Sequence, residues 1–291
     1  MGTYDNFSKL VQNTRTLNHS TVTERCGKIT KRLNIEYWDT ESSTSHSRYV
    51  GSYGRGTAIR GFSDVDLLMQ LPDSIYDRYN KYLGNGQSAL LQEVKKSISK
   101  TYSATDVGGD GQVVVVQFSD TMRFEVVPAF INKDGTSYTY PDSNNGGTWR
   151  KTYPVAEVEA INELNNKYNK NVKKLVRIMK AWRKTNSVPI SGMLLETLVM
   201  NFLDGYSYKD KGYTYYDWMT RDFLKYLSER DPNQTYWRAK GSNVKVYRTG
   251  KFENKAKRGY SNALEAISDD EKYPIIAYQT WRKIFGSYYP R

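Results

Sequence analysis

The sequence predicts an α+β fold: an N-terminal lobe that mixes helices and strands, then a C-terminal helical lobe, with the active cleft between them. Three observations predict it. Two β-rich runs, Val113-Val114-Val115-Val116 and Arg123-Phe124-Glu125-Val126-Val127, lie close together in the first half. From about residue 155 onward, apolar residues recur mostly at spacings of three and four. Between these regions, residues 132–154 are polar and rich in Gly, Asn and Tyr, which reads as a long loop of the kind that often carries function. The boundaries drawn from this texture are 1–154 for the first lobe, with its N-terminal helices packing on the second, and 155–291 for the helical lobe.

In chain order, residues 21–38 read as a helix through Val22, Cys26, Ile29, Leu33 and Tyr37, with Ser20 or Thr21 as its cap. A short strand enters Gly51, and Val65-Asp66-Leu67-Leu68-Met69 reads as another. Helical spacing returns over 88–102 through Leu91, Val94, Ile98 and Tyr102. The two β-rich runs follow, joined by a hairpin over Phe118 to Met122 and closed by Pro128. Helices are expected over 155–168, 169–185, 191–204, 216–229 and 270–285, with an irregular basic stretch over 230–258.

The bulk numbers fit a globular chain with a sizeable core: 291 residues, 38% hydrophobic and 25% charged. Forty-three Lys and Arg against 31 Asp and Glu leave a formal charge of +12, which favours anionic partners without choosing among them. One cysteine, Cys26, excludes an intrachain disulfide; together with two histidines it argues against a Cys/His zinc site. His19 and His46 match no ligand or triad spacing. The N-terminus has no apolar signal region, and no run approaches a membrane span, so a cytoplasmic protein is expected.

The chemistry concentrates between residues 51 and 66. Gly51-Ser52-Tyr53-Gly54-Arg55-Gly56-Thr57 follows a predicted strand. Its glycines permit tight turns and close approach of a phosphate, and Ser52 and Thr57 supply hydroxyls. Asp64 and Asp66, one residue apart at the start of a strand, point to the same side. Two carboxylates held together repel, and a divalent cation, which prefers oxygen ligands, relieves that repulsion. Glu125, a charge in an otherwise apolar strand, is the candidate third ligand. Two Mg²⁺ or Mn²⁺ ions bridged by three carboxylates can activate a hydroxyl and stabilise leaving pyrophosphate.

Lys173, Arg177, Lys180 and Lys184 form a basic stripe on the helix over 169–185. They serve either as a solvated face or, through Lys180 and Lys173, as contacts to a triphosphate. Ser191 opens the next helix, as an N-cap and as part of a phosphate-favouring helix start. Tyr138, Tyr140 and Trp149, in the expected loop, are candidates for stacking on a base.

These motifs resemble one family. Gly51 to Thr57, Ser63-Asp64-Val65-Asp66-Leu67 and Phe124-Glu125-Val126-Val127-Pro128-Ala129-Phe130 are similar to the bacterial CD-NTases, relatives of cyclic GMP-AMP synthase and oligoadenylate synthase in the DNA polymerase beta superfamily. The resemblance continues through Trp149, Thr152-Tyr153-Pro154, Met179-Lys180-Ala181-Trp182 and Pro189-Ile190-Ser191-Gly192, spanning roughly residues 20–205. One departure is Glu125, where the relatives usually carry aspartate.

The resemblance implies a nucleotidyltransferase core with a mixed β-sheet, lying in the lobe over 1–154. It implies a metal-dependent enzyme that condenses nucleoside triphosphates (ATP, GTP or pyrimidine equivalents) into a cyclic dinucleotide or short cyclic oligonucleotide with release of pyrophosphate. The product would be a second messenger in anti-phage defence, sensed by a separate effector protein. Asp64, Asp66 and Glu125 would bind metal; Gly51, Ser52, Thr57, Lys180 and Ser191 would bind nucleotide. A monomer is expected, with no membrane and no required nucleic acid. Two alternatives stand beside this reading: transfer to an RNA end, a protein or a small molecule, and a non-catalytic nucleic-acid-binding protein.

Overall fold

The computed structural model describes residues 2–16, 19–61, 64–102 and 106–290. The chain opens with helices α1 (Thr3–Asn13) and α2 (His19–Trp38), strand β1 (Ser47–Tyr49), the single turn α3 (Gly51–Gly54) and β2 (Val65–Gln70). Helices α4 (Asp73–Asn80) and α5 (Gly86–Ser99) precede β3 (Asp106–Asp110), β4 (Val113–Gln117), β5 (Arg123–Ile131), β6 (Tyr138–Asp142) and β7 (Thr148–Thr152). The remainder is α6 (Pro154–Lys167), α7 (Asn171–Thr185), α8 (Gly192–Gly205), α9 (Tyr216–Ser228), the hairpin β8 (Tyr236–Arg238) and β9 (Lys245–Tyr247), α10 (Glu253–Asp269) and α11 (Pro274–Phe285).

The chain divides into two compact units, and the division is interleaved rather than one cut at 154. A sheet unit takes Leu17–Arg55 and Ser63–Ala156; a helical unit takes Met1–Thr16, Gly56–Phe62 and Glu157–Arg291.

In the sheet unit the strand order is β1-β2-β5-β4-β3, with β6 added to β5 and β7 to β6. β2 and β5 are parallel and the other pairs antiparallel, so the sheet is mixed. Alternation along each strand separates the faces. Val65, Leu67 and Met69 of β2, Val114 and Val116 of β4, and Phe124 and Val126 of β5 are buried with Val22, Cys26, Ile29 and Leu33 of α2 and Leu90, Leu91, Val94 and Ile98 of α5. Cys26 is a small core residue, as its spacing indicates. The intervening residues, Asp66, Val115 and Glu125 among them, occupy the other face.

The sequence reading of 132–154 as a loop is corrected: 138–142 and 148–152 pair as a hairpin, Tyr138 opposite Thr152 through Asp142 opposite Thr148. The base-stacking role expected of its aromatics falls with it for two of them. Tyr138 is buried in a small cluster with Leu68 and Ala129. Trp149 packs against Tyr76 and Phe130 and donates its indole N–H to Asn80. Tyr140 is half-buried. Helix α2 already includes Ser20 and Thr21, so neither is its cap.

The helical unit is built on α7 and α8, whose Val172, Leu175, Val176, Met179, Trp182, Leu194, Leu198 and Val199 are almost completely buried with residues of α1, α9, α10 and α11. No helix among the described residues is long and apolar enough to cross a membrane.

Candidate active site

The end of β1 leads straight into the glycine segment. The Val50 N–H donates to the Asp66 carbonyl at 2.9 Å, which ties the segment to the start of β2. The chain then closes one helical turn, with Gly54 N–H on Val50 and Arg55 N–H on Gly51. Gly51 has φ +56°, and a Cβ built there would stand 1.9 Å from Asp66 Oδ2. Only a residue without a side chain lets the backbone come this close to the carboxylate. The Ser52 backbone N–H, carried by that turn, hydrogen-bonds the Asp66 carboxylate.

The acids share the sheet face away from α2 and α5. Asp66 is directly opposite Glu125 across the parallel pair, and Glu125 is opposite Val115 on β4. Asp64 precedes β2 by one residue and is half exposed. Desolvation, then the charge of Glu125, push the Asp66 carboxyl up to about 6, with Arg55 pulling the other way. Desolvation and Glu125 also raise Asp64, and Arg123 opposes them. Mutual repulsion of this kind is what a bound cation removes. In that respect the donor set, three hard carboxylates, fits Mg²⁺ or Mn²⁺. Among the described residues, however, no three acidic, histidine or cysteine side chains stand close enough to hold one ion.

Arg123 accounts for part of that. Its Nε and Nη2 donate to Glu125 Oε1 at 3.1 and 3.0 Å. The same guanidinium lies 3.9 Å from Asp64 Oδ2 and 3.5 Å from Asp110 Oδ2. Arg123 also lines an open cavity of about 390 Å³ with Gly108, Gly109, Asp110, Val115 and Gln117. The sequence reading passed over Arg123, although a period of two places it on the face of Glu125. Arg55 and Glu196 were missed as well. Glu196 had a visible signal: a lone charge inside Leu194-Leu195-Glu196-Thr197-Leu198-Val199.

Thr57 and Lys180, the residues expected to touch a triphosphate, are both buried. Both belong to the helical unit. Lys180 is 3% exposed, and Thr57 and Glu196 are fully buried. The Lys180 ammonium donates to Glu196 Oε1 at 2.7 Å and to the Thr57 carbonyl at 3.1 Å, and the Thr57 hydroxyl donates to the same Glu196 oxygen at 2.8 Å. A buried charge needs such partners, and they engage the ammonium inside the unit. The rest of the basic stripe behaves likewise: Arg177 Nη1 donates to the Gly56 carbonyl at 2.9 Å, Lys184 to the Gly61 carbonyl, and Lys173 to Asn162 Oδ1 at 2.6 Å. Arg177, Lys180 and Lys184 thus hold the carbonyls of Gly56, Thr57 and Gly61. Ser191 caps α8, its hydroxyl accepting from Leu194 N–H at 3.1 Å. Ser63, quoted in the aspartate motif, lies outside the described residues.

Comparison with known proteins agrees with this architecture. A probable cyclic nucleotide synthase of Bacillus cereus is 26% identical over 277 residues, covering 82% of this chain and 81% of that protein. A cyclic AMP-AMP-AMP synthase of an Acinetobacter species is 26% identical over 261 residues, covering 84% and 73%. The structure of CdnC from E. coli MS115-1 with ATP superposes with a TM-score of 0.70 at 15% identity, covering 99% of each chain, and so shares the fold. Residues 1–165, more than half of the chain, match the Second Messenger Oligonucleotide or Dinucleotide Synthetase domain. The chain therefore belongs to the second messenger oligonucleotide or dinucleotide synthetase family of nucleotidyltransferases, the group that the glycine turn and the paired aspartates had already singled out.

Proposed function

We propose that this chain is a divalent-metal-dependent nucleotidyltransferase that joins nucleoside triphosphates into a cyclic dinucleotide or short cyclic oligonucleotide. The observation that carries the reading is the register of Asp66 against Glu125, with Asp64 on the same face and the Gly51 turn closed against Asp66. The names of the relatives, cyclic nucleotide synthases, support it.

Asp64 and Asp66 would hold two Mg²⁺ or Mn²⁺ ions, and Glu125 would help hold the one nearer the acceptor. Bound there, the ions supply charge neutralisation on the phosphates and a lowered pKa for the attacking hydroxyl. The chain's own contribution is placement. Gly51 keeps the backbone against the carboxylate, and the Ser52 N–H orients Asp66. Ser52 and the turn would cradle the donor's β- and γ-phosphates, and Ser191 and the start of α8 would offer helix N–H groups to an anion. In-line attack on the α-phosphate forms one P–O bond and releases pyrophosphate, and a second transfer closes the ring. We further propose that the product is a second messenger in anti-phage defence, read by a separate effector, and that the enzyme works as a cytoplasmic monomer.

The test incubates the purified chain with Mg²⁺ or Mn²⁺ and each α-labelled triphosphate. A phosphatase-resistant labelled product is expected, and Asp64→Asn combined with Asp66→Asn should abolish it in a folded protein. A product that persists in the double variant overturns the assignment of the acids.

A further inference from the structure

Glu125 is the acid that Arg123 holds. Arg123 and Glu125 are two residues apart on β5, so they share a face and lie along the strand from each other. Arg123 directs both Nε and Nη2 at a single oxygen, Oε1, and so draws the carboxylate along β5. The Asp66 row lies across the sheet instead. An aspartate here, shorter by one methylene, reaches less far toward Arg123. The guanidinium has further anchors in Asp110 at 3.5 Å and Asp64 at 3.9 Å, so it stays on this face whichever way Glu125 turns.

We infer that Glu125 is a two-position ligand: Arg123 parks it along β5, and it leaves Arg123 to complete the metal site with Asp64 and Asp66. The inference rests on the metal reading of the acids proposed above. Arg123 is a positioning residue in this scheme. It competes with the ion for one carboxylate and sets how readily the third ligand joins. This accounts for Asp66 and Glu125 standing in register, with Asp64 just before β2, without the three closing on one point among the described residues.

The test measures Mn²⁺ binding to the full chain by the electron paramagnetic resonance signal of unbound Mn²⁺, so catalysis is not needed. Breaking a part-exposed ion pair is worth about a fivefold change in an equilibrium constant. Arg123→Gln should therefore bind Mn²⁺ about fivefold tighter than wild type. Arg123→Lys keeps the charge but loses the fork, and it should fall between the two. Removing a positive charge near the ion tightens binding in any case, so the decisive comparison repeats Arg123→Gln in a Glu125→Gln background. There the gain should shrink to less than about twofold, because the carboxylate that Arg123 holds at 3.0 Å is gone and only its longer contacts to Asp64 and Asp110 remain. An equal gain in both backgrounds, or no gain in either, overturns the two-position ligand. The Asp64→Asn, Asp66→Asn variant separates this failure from that of the underlying reading: if it binds Mn²⁺ as wild type does, the acids are not the metal site at all.

Discussion

Replacing Gly51 by alanine tests how tightly the glycine turn and the carboxylate of Asp66 are built together. The added Cβ would lie 1.9 Å from Asp66 Oδ2 and 2.6 Å from its Cγ. Ordinary contact begins near 3.4 Å, so the carboxylate oxygen must retreat by about 1.5 Å, or the turn must move by as much. The backbone adds a second cost, because φ +56° at a residue with a side chain costs roughly 1–2 kcal/mol. Folding should survive a loss of that size, with Tm lowered by roughly 2–8 °C. Catalysis should not: misplacing a reacting group by about 1 Å costs on the order of a hundredfold. Gly51→Ala should thus lower kcat/KM for triphosphate consumption by about a hundredfold or more while the thermal melt stays cooperative. Near-normal kcat/KM, or a loss matched by unfolding at the assay temperature, refutes the reasoning.

Other outcomes follow from the same contacts. Asp66 titrates near 6 in the folded chain, above its ordinary value, so it binds its proton more tightly when folded. Its charge therefore costs stability above about pH 6, and the cost disappears below the ordinary carboxylate range. Asp66→Asn should raise the Tm at pH 8 by an amount reflecting about 1–3 kcal/mol, and the two proteins should melt alike near pH 3. Mn²⁺ binding should weaken as the pH falls through 6. Lys180→Met leaves Glu196 buried without its cation and should cost about 3–5 kcal/mol in denaturant unfolding. Lys180→Met with Glu196→Leu should recover much of that loss, and failure to recover any would mean that the pair is not what the site needs. Ser191→Ala removes the cap of α8 and should cost about 1 kcal/mol. A rise in KM for triphosphate beyond that loss of stability would add a phosphate-binding role.

Legibility in the sequence tracked how strongly each segment states its own preference. β4 and β5 were readable because Val and Phe fill central strands, and α7 was readable because its apolar residues keep strict spacing. β3 was not, since Asp106-Val107-Gly108-Gly109-Asp110 disfavours a strand and becomes one only by pairing with β4. The β6–β7 hairpin was hidden by Pro141 and the glycines of its turn. α10 escaped notice because its buried face is Ala256, Gly259, Ala263 and Ala266, which carry little hydrophobic signal. In the candidate site, residue type and period single out Asp64, Asp66 and Glu125, and the register sets Asp66 beside Glu125. The stripe containing Lys180 was ambiguous for a physical reason: a row of cations has the same spacing whether it faces phosphates or backbone carbonyls. Three of its partners, Gly56, Thr57 and Gly61, lie more than 120 positions away.

The central claim is that these acids support transfer that ends in a closed ring, and the stoichiometry of pyrophosphate release tests it most directly. Ring closure releases one pyrophosphate for every triphosphate consumed and leaves a product resistant to phosphatase, with no label on the protein. Asp64→Asn with Asp66→Asn should release none. A ratio near one pyrophosphate per two triphosphates, with a phosphatase-sensitive product, would contradict ring closure. Release that persists in the double variant would contradict the site itself.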